Sequence, residues 1–227
     1  MSLLQHLRGQ LIVSCQASVG SPFRDTAMIC AFAQAAMING AAGLRLEGLT
    51  DVQAVREQQS APIIGIIKHS GREVFITPDL EDVRGLAAAG ADIVAFDGTE
   101  RTRPVSVADL ITACHDVGAV AMADISTAAE GLAAWQAGAD FVGTTLSGYT
   151  PYTQRGAEVW EGPDLALIRE LSDAGVRVVA EGHIRTPAQA RAALEAGAYA
   201  VVVGSAITRP DDITRWFAEE VQRANRS

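Results

Sequence analysis

Eight times along the chain a short apolar run ends on a polar residue or a glycine and is followed by a stretch with helical spacing of its apolar residues. The runs are Leu11–Cys15, Ala42–Leu46, Pro62–Ile67, Ile93–Phe96, Ala119–Ala123, Phe141–Gly143, Val176–Ala180 and Ala200–Val203. A continuous apolar run, in place of in/out alternation, marks a parallel strand buried on both faces. The helical stretches commonly close on a glycine, as in Asn39-Gly40-Ala41, Ala89-Gly90-Ala91, Val117-Gly118-Ala119, Ala137-Gly138-Ala139 and Ala196-Gly197-Ala198. Such a glycine suits the left-handed residue that ends a helix before the next strand. Eight strand-helix units without a Gly-x-Gly-x-x-Gly turn predict one α/β domain over residues 1–227, a (β/α)8 TIM barrel and not an open nucleotide-binding sheet.

In such a barrel the C-terminal strand ends converge on one rim, where chemistry sits. Here those ends are Gln16, Arg45, Lys68, Asp97, Asp124, Thr144 with Thr145, Glu181, and Gly204 with Ser205. Any one of them has a structural alternative: Asp97 as a loop cap, Arg45 as its ion-pair partner, Gly204-Ser205 as a tight turn. Their coincidence across eight units favours function.

The stretch from Val176 to Pro187 carries most of this in twelve residues. A β-branched run delivers Glu181 to the rim, Gly182 lets a ligand approach the backbone, and Thr186-Pro187 starts a helix. Gly182 and Gly204-Ser205 follow the seventh and eighth strands, the two loops where these barrels most often hold a phosphoryl group. Arg209 or Arg185 would add a direct charge. Lys68 ends the run Ile63-Ile64-Gly65-Ile66-Ile67 and emerges among rim cations and carboxylates. Desolvation and Arg45 lower the pKa of such a lysine, and a carboxylate beside it raises it. A neutral amine there abstracts a proton next to a carbonyl or forms a Schiff base with one; the plain alternative is a rim salt bridge with Glu181. His69 and His183 follow these two residues and are expected to face outward or brace loops. His6 and His115 read as surface residues. No His/Asp/Glu group has metal-site spacing, so metal-independent chemistry without a cofactor is expected. The irregular stretch Ser147–Gly162, rich in Gly, Tyr, Thr and Pro, is a candidate lid.

Composition narrows the partners. A net charge of −9 and a pI near 4.9 argue against nucleic acid or an anionic membrane surface. The three cysteines Cys15, Cys30 and Cys114 form no Cys-x-x-Cys pair and suggest a reducing, cytoplasmic setting. Ile12-Val13-Ser14-Cys15 has the look of a lipoprotein cleavage site, but Leu11–Val13 is far shorter than the roughly 7–15 apolar residues a signal needs. No apolar run reaches the ~18 residues of a membrane span. Alanine-rich helix faces such as Ala27–Ala36 leave a homodimer open.

Six segments together resemble the N-acetylmannosamine-6-phosphate 2-epimerase family. They are Val13-Ser14-Cys15-Gln16-Ala17, Pro62 to Lys68, Met122-Ala123-Asp124-Ile125-Ser126-Thr127, Gly143 to Thr150, Ala180 to Pro187, and Val203 to Pro210. The resemblance runs in order over nearly the whole chain. It implies a barrel that interconverts N-acetylmannosamine 6-phosphate and N-acetylglucosamine 6-phosphate, without metal or nucleotide, in sialic acid and amino sugar catabolism. It further implies that Lys68 handles the proton at carbon 2 with Glu181 beside it. Gln16, Arg45, Asp124, Thr144 and Thr145 would line the sugar, and Gly182, Gly204, Ser205 and Arg209 would hold the phosphate. Two positions depart from the family pattern: Gly98 stands where alanine is expected, and His69-Ser70 follows the lysine where a basic residue is usual. Two rival activities fit the same residues, a Schiff-base phosphosugar aldolase or lyase acting through Lys68, and a phosphosugar-binding regulator without turnover.

Overall fold

A computed structural model describes residues 2–154 and 162–224. Eight parallel strands close into a barrel in sequence order: β1 (Leu11–Cys15), β2 (Gly43–Glu47), β3 (Ile63–Ile66), β4 (Ile93–Asp97), β5 (Val120–Asp124), β6 (Phe141–Gly143), β7 (Val178–Ala180) and β8 (Ala200–Val203). Around them run α2 (Thr26–Ile38), α3 (Leu49–Arg56), α4 (Leu80–Ala88), α5 (Val107–Asp116), α6 (Ala128–Gln136), α7 (Leu165–Asp173) and α8 (Pro187–Glu195). Beyond β8 come the short α9 (Ser205–Thr208) and the fifteen-residue α10 (Pro210–Ala224), while α1 (Leu3–Leu7) precedes β1. The expected (β/α)8 architecture is thus the observed one.

Strand alternation splits the apolar residues into two cores. Val13, Leu44, Val94, Ala121, Val142 and Val178 face the helices. Ile12, Ile64, Ile66, Ile93, Ala95, Met122, Phe141, Val179 and Val202 fill the barrel, whose lower end is plugged by Leu7 of α1. The five helix-closing glycines anticipated from sequence all have positive φ, from 75° to 104°.

Four strand ends differ from expectation, and each difference moves a site residue. β2 is shifted by one residue, so Glu47 as well as Arg45 belongs to the strand. β4 and β5 each run one residue further than the sequence implied, which makes Asp97 and Asp124 strand residues. β3 stops at Ile66, so Lys68 lies beyond it, where it forms an antiparallel bridge with Ile76. Of the proposed lid Ser147–Gly162, residues 155–161 lie outside the described residues.

Candidate active site

Continuing the inward register of each strand upward replaces the apolar filling by charge. Arg45 sits two residues above Gly43, Asp124 two above Met122, and Glu181 two above Val179. These three meet across the barrel. Arg45 Nη2 donates to Asp124 Oδ2 at 2.6 Å and Nη1 to Oδ1 at 3.2 Å, and Nη1 also lies 2.7 Å from Glu181 Oε2. Arg45 is 1% exposed and Asp124 fully buried. Burial works against the guanidinium charge, yet Asp124 and Glu181 outweigh it and push the Arg45 pKa up. Its Nε is buried without a hydrogen-bond partner. For Glu181 burial dominates: desolvation, helped by repulsion from Asp124 and opposed by Arg45, Thr145 and Lys68, raises its carboxyl to about 7. Thr145 Oγ1 bridges the two carboxylates, 2.7 Å from Asp124 Oδ1 and 3.2 Å from Glu181 Oε2.

Lys68 is carried by the loop between β3 and α4. Thr77 stitches that loop to the strand: its N–H donates to Ile67 O at 2.7 Å, and its Oγ1 accepts from Ile67 N at 3.1 Å. Thr77 holds this position fully buried with φ +45°, a left-handed conformation that a β-branched side chain adopts only under constraint. Lys68 Nζ donates to Gln16 Oε1 at 2.6 Å and stands 3.2 Å from Glu47 Oε2. Desolvation lowers its pKa, Glu47 raises it, and Arg209 and Arg45 lower it further, the net direction being down.

A pocket of about 440 Å³ opens above these groups. Gln16, Arg45, Lys68, Thr145 and Glu181 line its inner end, and Gly182, Gly204, Ser205 and Arg209 line another part of it. Gly182 takes φ +104°, which a side chain would resist, and so lets the chain turn sharply past the glutamate. Arg209 Nε donates to Gln16 O at 3.3 Å, tying the end of α9 to the loop after β1. Toward the mouth, the Arg185 guanidinium lies over the Trp216 ring of α10 at 4.7 Å. His183 stacks on Tyr149 at 4.7 Å, and its Nε2 is 3.1 Å from Ser147 O. His183 therefore braces the loop after β6, as expected of it, while also lining the pocket.

Some expectations need correction. Asp124 and Thr144 do not line the pocket. Asp124 lies beneath it under Arg45, and Thr144 continues the outward register of Val142, its Oγ1 donating to Glu181 O and accepting from Glu181 N. Arg45 pairs with Asp124 and Glu181, not with Asp97. Asp97 is buried against Arg101, Arg103 and Thr99. At the α8 start a capping box engages the backbone N–H groups around Thr186. Gln189 Oε1 already accepts from the N–H groups of Arg185 and Thr186, and Thr186 Oγ1 from that of Gln189. The salt bridge considered as an alternative role for Lys68 is made with Glu47, while Glu181 pairs with Arg45. Although no metal-type spacing is visible in the sequence, the folded loop brings ligand atoms of His69, Asp79 and Asp82 within 4.8 Å of one another. Contacts already engage them: His69 with Asp82 at 2.8 Å and Arg72 with Asp79 at 2.6 Å.

Glu47 and Trp216 were missed by sequence reasoning. Leu44-Arg45-Leu46-Glu47 alternates cleanly, so one more strand residue would have placed Glu47 beside Arg45 on the inner face. Trp216 carried no signal, because nothing local says that α10 folds back toward the mouth. A further sign lay in plain view: Lys68 is the only lysine in the chain, all other basic residues among the 18 being arginine.

A family model described as "NanE: Putative N-acetylmannosamine-6-phosphate epimerase" matches residues 29–223. The chain belongs to this epimerase family. Proteins designated as 2-epimerases of the family in Yersinia pestis (strain Pestoides F) and Yersinia pseudotuberculosis serotype IB (strain PB1/+) are each 52% identical to it over 226 residues, covering 98% of this chain and 95% of theirs. The solved N-acetylmannosamine-6-phosphate 2-epimerase from Clostridium perfringens superposes with a TM-score of 0.91 at 41% identity, covering 96% of each chain. Thiamine phosphate pyrophosphorylase from Pyrococcus furiosus, at 18% identity and a TM-score of 0.60 over 94% of this chain and 93% of its own, shares the epimerase fold alone.

Proposed function

We propose that this protein is an isomerase that interconverts N-acetylmannosamine 6-phosphate and N-acetylglucosamine 6-phosphate by moving the proton at carbon 2. The observation that carries this reading is the pairing of 52% identity to designated 2-epimerases with a pocket that holds both Lys68 and Glu181. In the open-chain sugar, carbon 2 adjoins the aldehyde, so its C–H bond is acidic enough for a positioned base. A carboxyl raised to about 7 is suited to taking such a proton near neutrality. When the C–H bond breaks, its electron pair delocalises onto the carbonyl oxygen, and a pocket cation stabilises the enolate. A proton delivered by Lys68 to the opposite face then inverts the centre. Gln16, Arg45 and Thr145 orient the sugar, and Asp124 and Thr144 support that layer from behind. Gly182, Gly204, Ser205 and Arg209 take the phosphate, whose charge an acidic protein accommodates only through placed groups.

The test is proton NMR of N-acetylmannosamine 6-phosphate with the purified protein and a chelator in deuterated water. Loss of the carbon 2 proton with growth of the gluco epimer is expected. No exchange from folded protein that binds the phosphosugar would point instead to a regulator without turnover. Borohydride trapping of substrate on Lys68 would point to a Schiff-base lyase, and the epimerase predicts no adduct.

The same reading places the enzyme with phosphosugars in the cytoplasm. Among the described residues no helix is long and apolar enough to cross a membrane. It also includes a homodimer. Part of the α2 face considered from sequence is used internally, since Ile29 and Ala33 are buried there. Uncovered apolar side chains remain on α2, where Ile38 is 77% and Met28 42% exposed, and on α10, where Phe217 is 71% and Val221 63% exposed. Light scattering is expected to give twice the 23.8 kDa chain mass.

A further inference from the structure

Glu47 stands outside the pocket lining yet touches its central amine. The β2/β3 register sets Glu47 beside Ile66, and Gly48 N donates to Ile66 O at 2.8 Å. This pairing brings the Glu47 carboxylate to 3.2 Å from Lys68 Nζ. On its other side the amine meets Gln16 Oε1. That amide is oriented by its own Nε2, which donates to Ser14 Oγ at 2.8 Å. Glu47 Oε1 is held in turn by Arg24 Nη2 at 3.5 Å, and Arg24 Nη1 donates to Ala17 O. A carboxylate and an amide oxygen on two sides suit an ammonium, which has three N–H donors and no acceptor, so the third is left for the pocket.

We propose that Glu47 is a positioning residue that aims Lys68 and holds it as the ammonium in the empty enzyme. On the epimerase reading, on which this sense of the reaction rests, the substrate then meets Lys68 as the proton donor and Glu181 as the base. The other charges facing Lys68 are Arg45 and Arg209, which oppose its protonation, and Glu181, which favours it. Among the described residues, Glu47 is the carboxylate in ion-pair contact with the amine.

The absence of any other lysine makes the test direct. Protein labelled with carbon-13 at lysine Cε gives one side-chain resonance, and its pH titration reports Lys68 alone. Glu47→Gln keeps the size of the side chain and removes the charge. Loss of an adjacent opposite charge moves such a midpoint by roughly 1–3 pH units, here downward. Glu47→Asp keeps a carboxylate, so its midpoint is expected to stay nearer that of the parent, and it serves as the second probe should Glu47→Gln fold poorly. In the epimerase assay, kcat of Glu47→Gln should fall while KM is held, because Glu47 does not line the pocket. A Lys68 midpoint unmoved in folded Glu47→Gln, or displaced by Glu47→Asp as far as by Glu47→Gln, overturns the proposal. The titration needs no turnover, so a failed epimerase assay with a shifted midpoint would reject the activity and leave Glu47 in place.

Discussion

Glu181 makes a prediction about stability that needs no substrate. Its carboxyl is raised from an ordinary value of 4.5 to about 7, with desolvation first and repulsion from Asp124 assisting, against the pull of Arg45, Thr145 and Lys68. A group whose folded pKa lies above its unfolded one binds more protons in the native state between those two values. Its stabilising contribution is therefore fully present below pH 4.5 and is lost as pH rises through about 7. The gap corresponds to about 3 kcal/mol, and the side chain is only 14% exposed, so solvent screening is small. Glutamine cannot titrate and resembles the protonated acid in shape. Urea unfolding of the parent and Glu181→Gln is therefore expected to give similar stabilities at pH 5. By pH 8.5 the parent should be the less stable by about 3 kcal/mol. If the parent instead gains on the variant over that range, the attraction of Arg45 outweighs burial and Asp124, and the assignment of a poised base to Glu181 falls.

Further expectations concern other parts of the site. Lys68→Ala should abolish turnover while calorimetry still detects phosphosugar binding, and retained activity would remove Lys68 from the chemistry. A Cβ at Gly143 would fall 2.6 Å from Met122 Cε and 2.7 Å from Asp124 Oδ1. Gly143→Ala should accordingly cost about 1–3 kcal/mol and slow the reaction by displacing Asp124, which an unchanged melting temperature would refute. Burial pushes the thiols of Cys15 and Cys114 up to about 12, and both are fully buried. Cys30 is half-buried. Ellman's reagent at pH 8 should react first with Cys30 and with the other two only after unfolding, whereas three fast thiols would contradict the packing.

The barrel was legible because its strands are buried on both faces and its helices close on glycines, both local patterns. The rim residues were legible for the same reason: they are whatever follows an apolar run. Pairings across the barrel were not. Arg45 and Asp124 are separated by 79 positions, and no local spacing distinguishes Asp124 from Asp97 as the partner of Arg45. Only the closed sheet decides, by setting Asp124 opposite Arg45 and giving Asp97 its own arginines from the following loop. Lys68 was legible, but its ion-pair partner Glu47 was hidden by a strand boundary one residue short. Thr186-Pro187 marked the start of α8, and Gln189, three residues on, closes it as a reciprocal cap.

The charged tier that crowns the apolar filling is made of side chains whose backbones belong to the sheet or stand immediately beyond it. Arg45 and Asp124 are strand residues, and Glu181 directly follows β7. The pocket lining nearer the mouth, by contrast, comes from connecting segments and from the last helix. The molecule therefore separates two kinds of inheritance. Exchange of the outer loops with those of a related barrel would leave the tier of Arg45, Asp124 and Glu181 standing on the staves, but the segment between β3 and α4 has to be kept with them, because it carries Lys68.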